Sequence, residues 1–156
     1  MGTESLAAAL EREHQEIDAG IAAFTAAPHD QEPLTRAIQA LRRHIFLEEE
    51  FLFPLLGEAE PALRAPVFVM LREHAQIWAV LDEMERAPGG NAALGRQLAS
   101  FLLHHNMKEE RVLYPEADAV LSPAAAGRLR TFLGSGELPA GWVCVRARPA
   151  TQATDR

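Results

Sequence analysis

Two copies of one histidine–glutamate segment constrain this chain more than any other feature. They are His44-Ile-Phe-Leu-Glu48-Glu49-Glu50-Phe-Leu-Phe-Pro54 and His105-Asn-Met-Lys-Glu109-Glu110-Arg111-Val-Leu-Tyr-Pro115, about sixty residues apart. Self-similarity at a fixed spacing marks a repeated structural unit. Each copy follows a lone histidine, His14 in Leu10-Glu-Arg-Glu-His14-Gln-Glu-Ile17 and His74 in Met70-Leu-Arg-Glu-His74-Ala-Gln-Ile77. An imidazole and a carboxylate four residues apart share one face of a helix, where they can close on a single ion.

The segments around these residues have helical periodicity. A first helix is predicted over 5–26, with a stripe of Leu6, Leu10, His14, Ile17, Ile21 and Phe24. A second, over 33–56, carries Leu34, Ile38, Leu41, His44, Glu48, Phe51 or Leu52, and Leu55. A third, over 66–86, carries Val67, Met70, His74, Ile77, Leu81 and Met84, and a fourth, over 91–114, carries Leu94, Leu98, Phe101, His105, Glu109 and Val112. Steps of three and four are the spacing of a bundle seam. Short connections at 27–31, 57–62 and 88–91 favour antiparallel neighbours. The expected fold is all-α, an antiparallel up-down-up-down four-helix bundle. Ser122-Pro123 before an alanine-rich run, with Gly134 after it, predicts a short fifth helix laid on the bundle. Residues 1–134 then form one domain, and 135–156 a partly disordered tail in which Trp142 to Val145 can tuck back.

Residues equidistant from a loop lie at the same height in an antiparallel bundle. The midpoints between successive histidines fall at residue 29, residue 59 and between residues 89 and 90, each inside a connection. His14, His44, His74 and His105 therefore share one core layer, with Glu48 and Glu109 one turn, about 5.4 Å, to the same side of it. A carboxylate in a core costs several kcal/mol unless paired, and no arginine or lysine lies on any stripe. A metal centre explains the set. Six imidazole and carboxylate donors exceed the needs of one tetrahedral ion and suit two metals, two histidines on each, with Glu48 and Glu109 bridging. Nitrogen and oxygen donors without thiolate suit iron or manganese, with zinc as a further candidate.

The net charge of −7 and pI near 5.3 argue against binding to phosphate backbones or anionic membranes. The opening residues lack a leader pattern, no apolar run reaches transmembrane length, and the single Cys144 fits a reducing compartment. A cytoplasmic protein is expected, with neither nucleic acid nor membrane as partner and the question of a protein partner open.

With its paired His-x-x-x-Glu-Glu-x-x-Leu-aromatic-Pro segments, each preceded by a lone histidine, the chain resembles the hemerythrin-like HHE cation-binding domains over residues 5–133. The resemblance implies a four-helix bundle holding a non-haem di-iron centre on His14, His44, Glu48, His74, His105 and Glu109. It implies a protein that binds or reacts with oxygen, nitric oxide or peroxide, in sensing or stress response. Iron storage or donation, iron-centre repair, and di-iron peroxidase or nitric-oxide reductase activity are alternatives within it, and whether the chain is an enzyme stays open. Oxygen carriers of the family have a second histidine one turn after the third-helix histidine, where this chain has Trp78, and their last carboxylate follows its histidine by five residues rather than four. The site therefore resembles the six-ligand variety.

Nearby titratable groups have milder expectations. Glu49, Glu50 and Glu110 lie off the stripe and read as a solvated, ion-paired face. His104 points about 100° from His105, and His29 lies in a loop. Asp18 follows His14 by one turn and is a spare-ligand candidate on the far side of the layer.

Overall fold

A computed structural model describes residues 2–87 and 92–149. Helix α1 spans Leu6–Ala26 and starts where the Ser5 hydroxyl accepts from the Ala8 N–H at 3.1 Å, satisfying one of the free donors of the first turn. Helix α2 spans Glu32–Leu47 with Pro33 in its opening turn, where a missing N–H costs nothing. It runs through a wide π turn, Glu48–Leu52, into α3, Phe53–Ala59. After a 3-10 turn at Pro61–Leu63, α4 spans Arg64–Arg86. Helix α5, Ala92–Lys108, passes through a second π turn, Glu109–Leu113, into α6, Tyr114–Val120. Helix α7, Pro123–Ser135, is the expected short helix, capped by the Ser122 hydroxyl at 3.1 Å from the Ala125 N–H. The expected helix boundaries agree to within a few residues, except that the fourth continues six residues further, to Val120. The expected connection at 88–91 and the end of the tail, 150–156, lie outside the described residues.

The described residues form helices and no strands, packed as a bundle with two apolar clusters. One gathers Ile17, Ile21 and Phe24 of α1, Ile38 and Leu41 of α2, Ile77 and Leu81 of α4, and Leu98 and Leu102 of α5. The other gathers Leu6 and Leu10, Leu52 and Leu56, Met70, and Leu113 and Ala117, with Leu129 of α7 laid against it. Each fully buried leucine or isoleucine contributes about 1.5–3 kcal/mol. His14, His44, His74 and His105 lie between these clusters along α1, α2, α4 and α5. α1 approaches its neighbour closely at Gly20, where a Cβ would sit 3.1 Å from that of Ala37.

The π turns shift the register in a way periodicity alone does not foresee. Each begins at the glutamate of a His-x-x-x-Glu pair and ends just before a residue–proline step. Phe53 N–H reaches Glu48 O, and Tyr114 N–H reaches Glu109 O, five residues back. Pro54 and Pro115 follow directly, and each would clash with the carbonyl four residues earlier in a regular helix. Widening the turn relieves that clash. The added residue rotates the following helix by about 100°. Val112, expected on the seam, is 45% exposed while Leu113 is 1% exposed. Likewise Leu52 and Leu56 are buried, Phe51 is exposed and Leu55 lies at the margin. Phe101 was also expected inside; Leu102 is buried in its place, a choice that leaves steps of four and three between Leu98 and His105 unchanged.

Beyond α7 the chain returns to the bundle. Trp142 meets Trp78 at 5.6 Å and Phe46 at 5.2 Å between ring centres, and Cys144 is buried in the cluster that holds Ile77 and Leu81. The Trp142 indole donates to Glu50 at 2.9 Å, and Val145 N–H donates to Glu49 at 2.8 Å. No described helix is long and apolar enough to cross a membrane.

Candidate metal centre

His14, His44, Glu48, His74, His105 and Glu109 are all buried and all face one another between the two apolar clusters. The histidines meet as two pairs. His14 and His44 have ring centres 4.7 Å apart, with Nε2 atoms 3.1 Å apart, and His74 and His105 have centres 4.9 Å apart. Each glutamate reaches one member of each pair. Glu48 Oε1 lies 3.6 Å from His44 Nε2 and 3.2 Å from His74 Nε2; Glu109 Oε1 lies 3.3 Å from His14 Nε2 and 3.2 Å from His105 Nε2. These atoms form two groups able to hold a metal ion, Glu48 with His74, His105 and Glu109, and His14 with His44 and Glu109.

The outer nitrogens complete the design. His44 Nδ1 lies 2.9 Å from Glu13, His74 Nδ1 2.7 Å from Glu49, His105 Nδ1 3.0 Å from Glu73, and His14 Nδ1 3.4 Å from Glu110. The contacts form a closed ring in which α1 supplies a carboxylate to α2, the α2 rod to α4, α4 to α5, and the α5 rod back to α1. A carboxylate beside Nδ1 fixes the proton there and leaves Nε2 as a bare lone pair, the arrangement that orients metal-binding imidazoles. Arg43 donates to Glu13 at 2.9 Å, and Lys108 pairs with Glu73.

With all four Nδ1 positions committed, the interior holds too many acceptors. Glu48 Oε1, His74 Nε2 and Glu109 Oε2 are buried without a hydrogen-bond partner, and buried polar atoms are rarely left so. Six carboxylates, Glu13, Glu48, Glu49, Glu73, Glu109 and Glu110, face the two basic side chains Arg43 and Lys108, a deficit of four positive charges. Two divalent ions would close it, so the residues fit a pair of metal ions.

Without a metal, protons take that place. Burial works against a charged His105, but the charge of Glu109 and hydrogen bonds donated to Glu109 and Glu73 overcome it and push the group up to about 10. His44 and His74 are raised in the same way, burial being outweighed by Glu48 with Glu13 at His44 and with Glu49 at His74. Glu109 is held well below the usual carboxylate range, its burial outweighed by His105, Glu48 and His14. Burial, followed by the charges of Glu109 and Glu48, keeps the Tyr114 phenol protonated well above its ordinary value.

All six expected donors are thus brought together. The reading of Glu49 and Glu110 as a solvated face is corrected: the Glu49 side chain is 4% exposed, and both hold histidines. Each follows a seam glutamate by one position, so its reach to the next helix, across the groove between rods, is invisible to a one-helix stripe. Glu50 does remain exposed. Glu13, Glu73 and Tyr114 escaped notice, yet the repeat marks the first two, since a glutamate immediately precedes both lone histidines. Asp18, His29 and His104 are exposed and lie outside the metal-capable groups. Trp78 packs on Trp142 and under the Arg42 guanidinium, 4.8 Å from its ring centre.

A surface cavity of about 210 Å³ touches the centre at His105 and Glu73, with Gln76, Ile77, Phe101 and Lys108 among its walls. A larger one, lined by Glu16, Asp30 and Arg36, touches none of the six donors. A family model for the hemerythrin HHE cation-binding domain matches residues 5–117. Neither curated proteins nor solved structures give a match.

Proposed function

The chain belongs to the hemerythrin HHE cation-binding domain family, and from that premise we propose that it is a cytoplasmic non-haem di-iron protein that binds or reacts with oxygen, nitric oxide or peroxide in sensing or stress response. The observation that carries this reading is the convergence of four histidine Nε2 atoms and two buried carboxylates on a layer with no lysine or arginine of its own. His14 and His44 would hold one ion, His74 and His105 the other, and Glu48 and Glu109, each within reach of both pairs, would bridge them. The helices run up-down-up-down, in keeping with clusters that join the C-terminal halves of α1 and α4 to the N-terminal halves of α2 and α5.

Bound iron would supply redox change and open positions for a small ligand. The protein's own residues do the rest. Glu13, Glu49, Glu73 and Glu110 hold the imidazoles in one tautomer, and the first three raise the basicity of His44, His74 and His105. Leu47, Leu52 and Met70 on one side and Ile17, Ile77 and Leu102 on the other exclude bulk water, which strengthens every charge interaction inside. The small cavity at His105 suits a ligand of a few atoms rather than an organic substrate.

Anaerobic loading with ferrous iron followed by elemental analysis should give two ions per chain, and optical spectra should change on adding oxygen, nitric oxide or peroxide. Retention of at most one ion would refute the dinuclear reading. Two ions with spectra indifferent to all three ligands would refute the small-ligand reading.

A further inference from the structure

Tyr114 is the only tyrosine in the chain, and it is completely buried. It occupies the place in the second repeat that Phe53 occupies in the first. Phe53 stacks on His74 with ring centres 5.7 Å apart and planes 14° from parallel, so it closes one histidine pair with an apolar surface. Tyr114 brings an oxygen to the other pair. Its Oη lies 3.0 Å from His14 Nε2, 3.0 Å from His44 Nε2, 2.9 Å from Glu48 Oε2 and 3.3 Å from Glu109 Oε1.

Four acceptors surround a hydroxyl that has one proton to give. In the neutral state that metal binding requires, with the Nδ1 protons of His14 and His44 directed to Glu110 and Glu13, neither ring offers Nε2 as a donor. Three of the four contacts therefore set lone pair against lone pair in a buried site, an arrangement that a cation among them would resolve. Spacings near 3 Å between donors are those produced by bonds of about 2 Å to one shared first-row metal ion. A hydroxyl present only to satisfy Glu48 would need one such neighbour.

We infer that Tyr114 is a seventh protein ligand, binding through its phenolate oxygen the ion held by His14 and His44. The inference rests on the di-iron reading above. As the ion binds, the Oη–H bond breaks, the proton leaves to solvent and an oxygen–metal bond forms, with no electron transferred. The two metal positions would then differ. The Tyr114 side would offer an extra anionic oxygen that favours ferric iron, whereas the Phe53 side offers none and lies next to the cavity that reaches His105.

The test uses the full chain loaded with iron, oxidised, and checked for iron content on the same sample. The oxidised protein should show a phenolate-to-ferric charge-transfer band in the visible, with tyrosinate ring modes enhanced in resonance Raman spectra excited within it. A chain with one tyrosine leaves no second source for these signals. Tyr114→Phe, which copies Phe53, should keep the helical circular-dichroism spectrum, lose band and ring modes completely, and weaken ferric binding by at least the ~10-fold that loss of an outer partner costs. Iron-loaded wild-type protein without tyrosinate modes would overturn the assignment and leave the metal centre standing, and this holds whether or not the variant folds. Failure of the wild type to take up iron would overturn the di-iron reading and this inference together. Modes that persist in Tyr114→Phe would overturn it as well.

Discussion

The ring of outer carboxylates can be dissected one member at a time, because its four links are chemically alike and differ only in burial and length. Glu49 is the best placed, 2.7 Å from His74 Nδ1 with its side chain 4% exposed. Glu13 follows at 2.9 Å and 8%, then Glu73 at 3.0 Å and 20%, and Glu110 at 3.4 Å and 32%. Glutamine at each position keeps an acceptor but removes the charge. A hydrogen bond to a charged group contributes about 1.5–3 kcal/mol and one between neutral groups about 0.5–1.5. The difference, about 1 kcal/mol, is roughly a five-fold loss of metal affinity at a buried link. Alanine removes the acceptor, and loss of an outer-shell partner costs about 10–100-fold. Glu49→Ala and Glu13→Ala belong at the upper end of that range. Water can replace the acceptor at Glu110 and screens what remains, so Glu110→Ala should cost least. Competition titrations with a chelator of known affinity, run on all four alanine and all four glutamine variants, measure the series. Equal losses at the four positions, or the largest loss at Glu110, would refute the argument that burial and bond length set the contribution of each link.

Two further outcomes follow from charge and register. A histidine raised in the folded state adds stability that is complete below its unfolded value of 6.5 and is lost as pH climbs through the folded value. Metal-free protein should therefore grow less stable from pH 6.5 towards 10, through His44, His74 and His105; below about 4.5 the lowered Glu109 removes stability as well. Metal needs bare nitrogens, so the rise in melting temperature on adding zinc should increase between about pH 6 and 8, and a rise that stays flat or shrinks would contradict the tautomers assigned here. Leu113→Ala should lower unfolding free energy in urea by about 2–5 kcal/mol and Val112→Ala by about 0.5 at most; the reverse order would mean that the π turn does not set the register of α6.

The sequence made the helices and the donors legible for one reason, their shared period. His14, Ile17, Ile21 and Phe24 recur at helical spacing, and the midpoint argument placed four histidines at one height without any coordinates. What it missed lies between helices or departs from that period. A glutamate one position off the stripe, such as Glu49, leans towards the neighbouring rod, and only the relative placement of two helices tells whether it meets a histidine or water. Pro54 and Pro115 stood in the repeat as its last residue, yet the wider turn they favour moved Leu113 inward and Val112 outward. Tyr114 passed as the aromatic of a motif because a phenol and a phenyl ring pattern alike. The asymmetry with Phe53 at the equivalent place was the available signal.

The closed ring has a consequence for how the protein is made. Two of its links, Glu13 to His44 and Glu73 to His105, lie within one helical hairpin each, while Glu49 to His74 and Glu110 to His14 join the halves. A ribosome releases the chain from its N-terminus, so His14 waits for Glu110 until nearly the whole of the second half has emerged. Neither hairpin alone assembles both sets of donors, so a metal held by both would be captured only once the bundle is complete. The newborn protein would then fold with protons on His44, His74 and His105, raised by the carboxylates around them, and those protons act as placeholders. Maturation would then be an exchange in which arriving metal ions evict protons from a chamber already built.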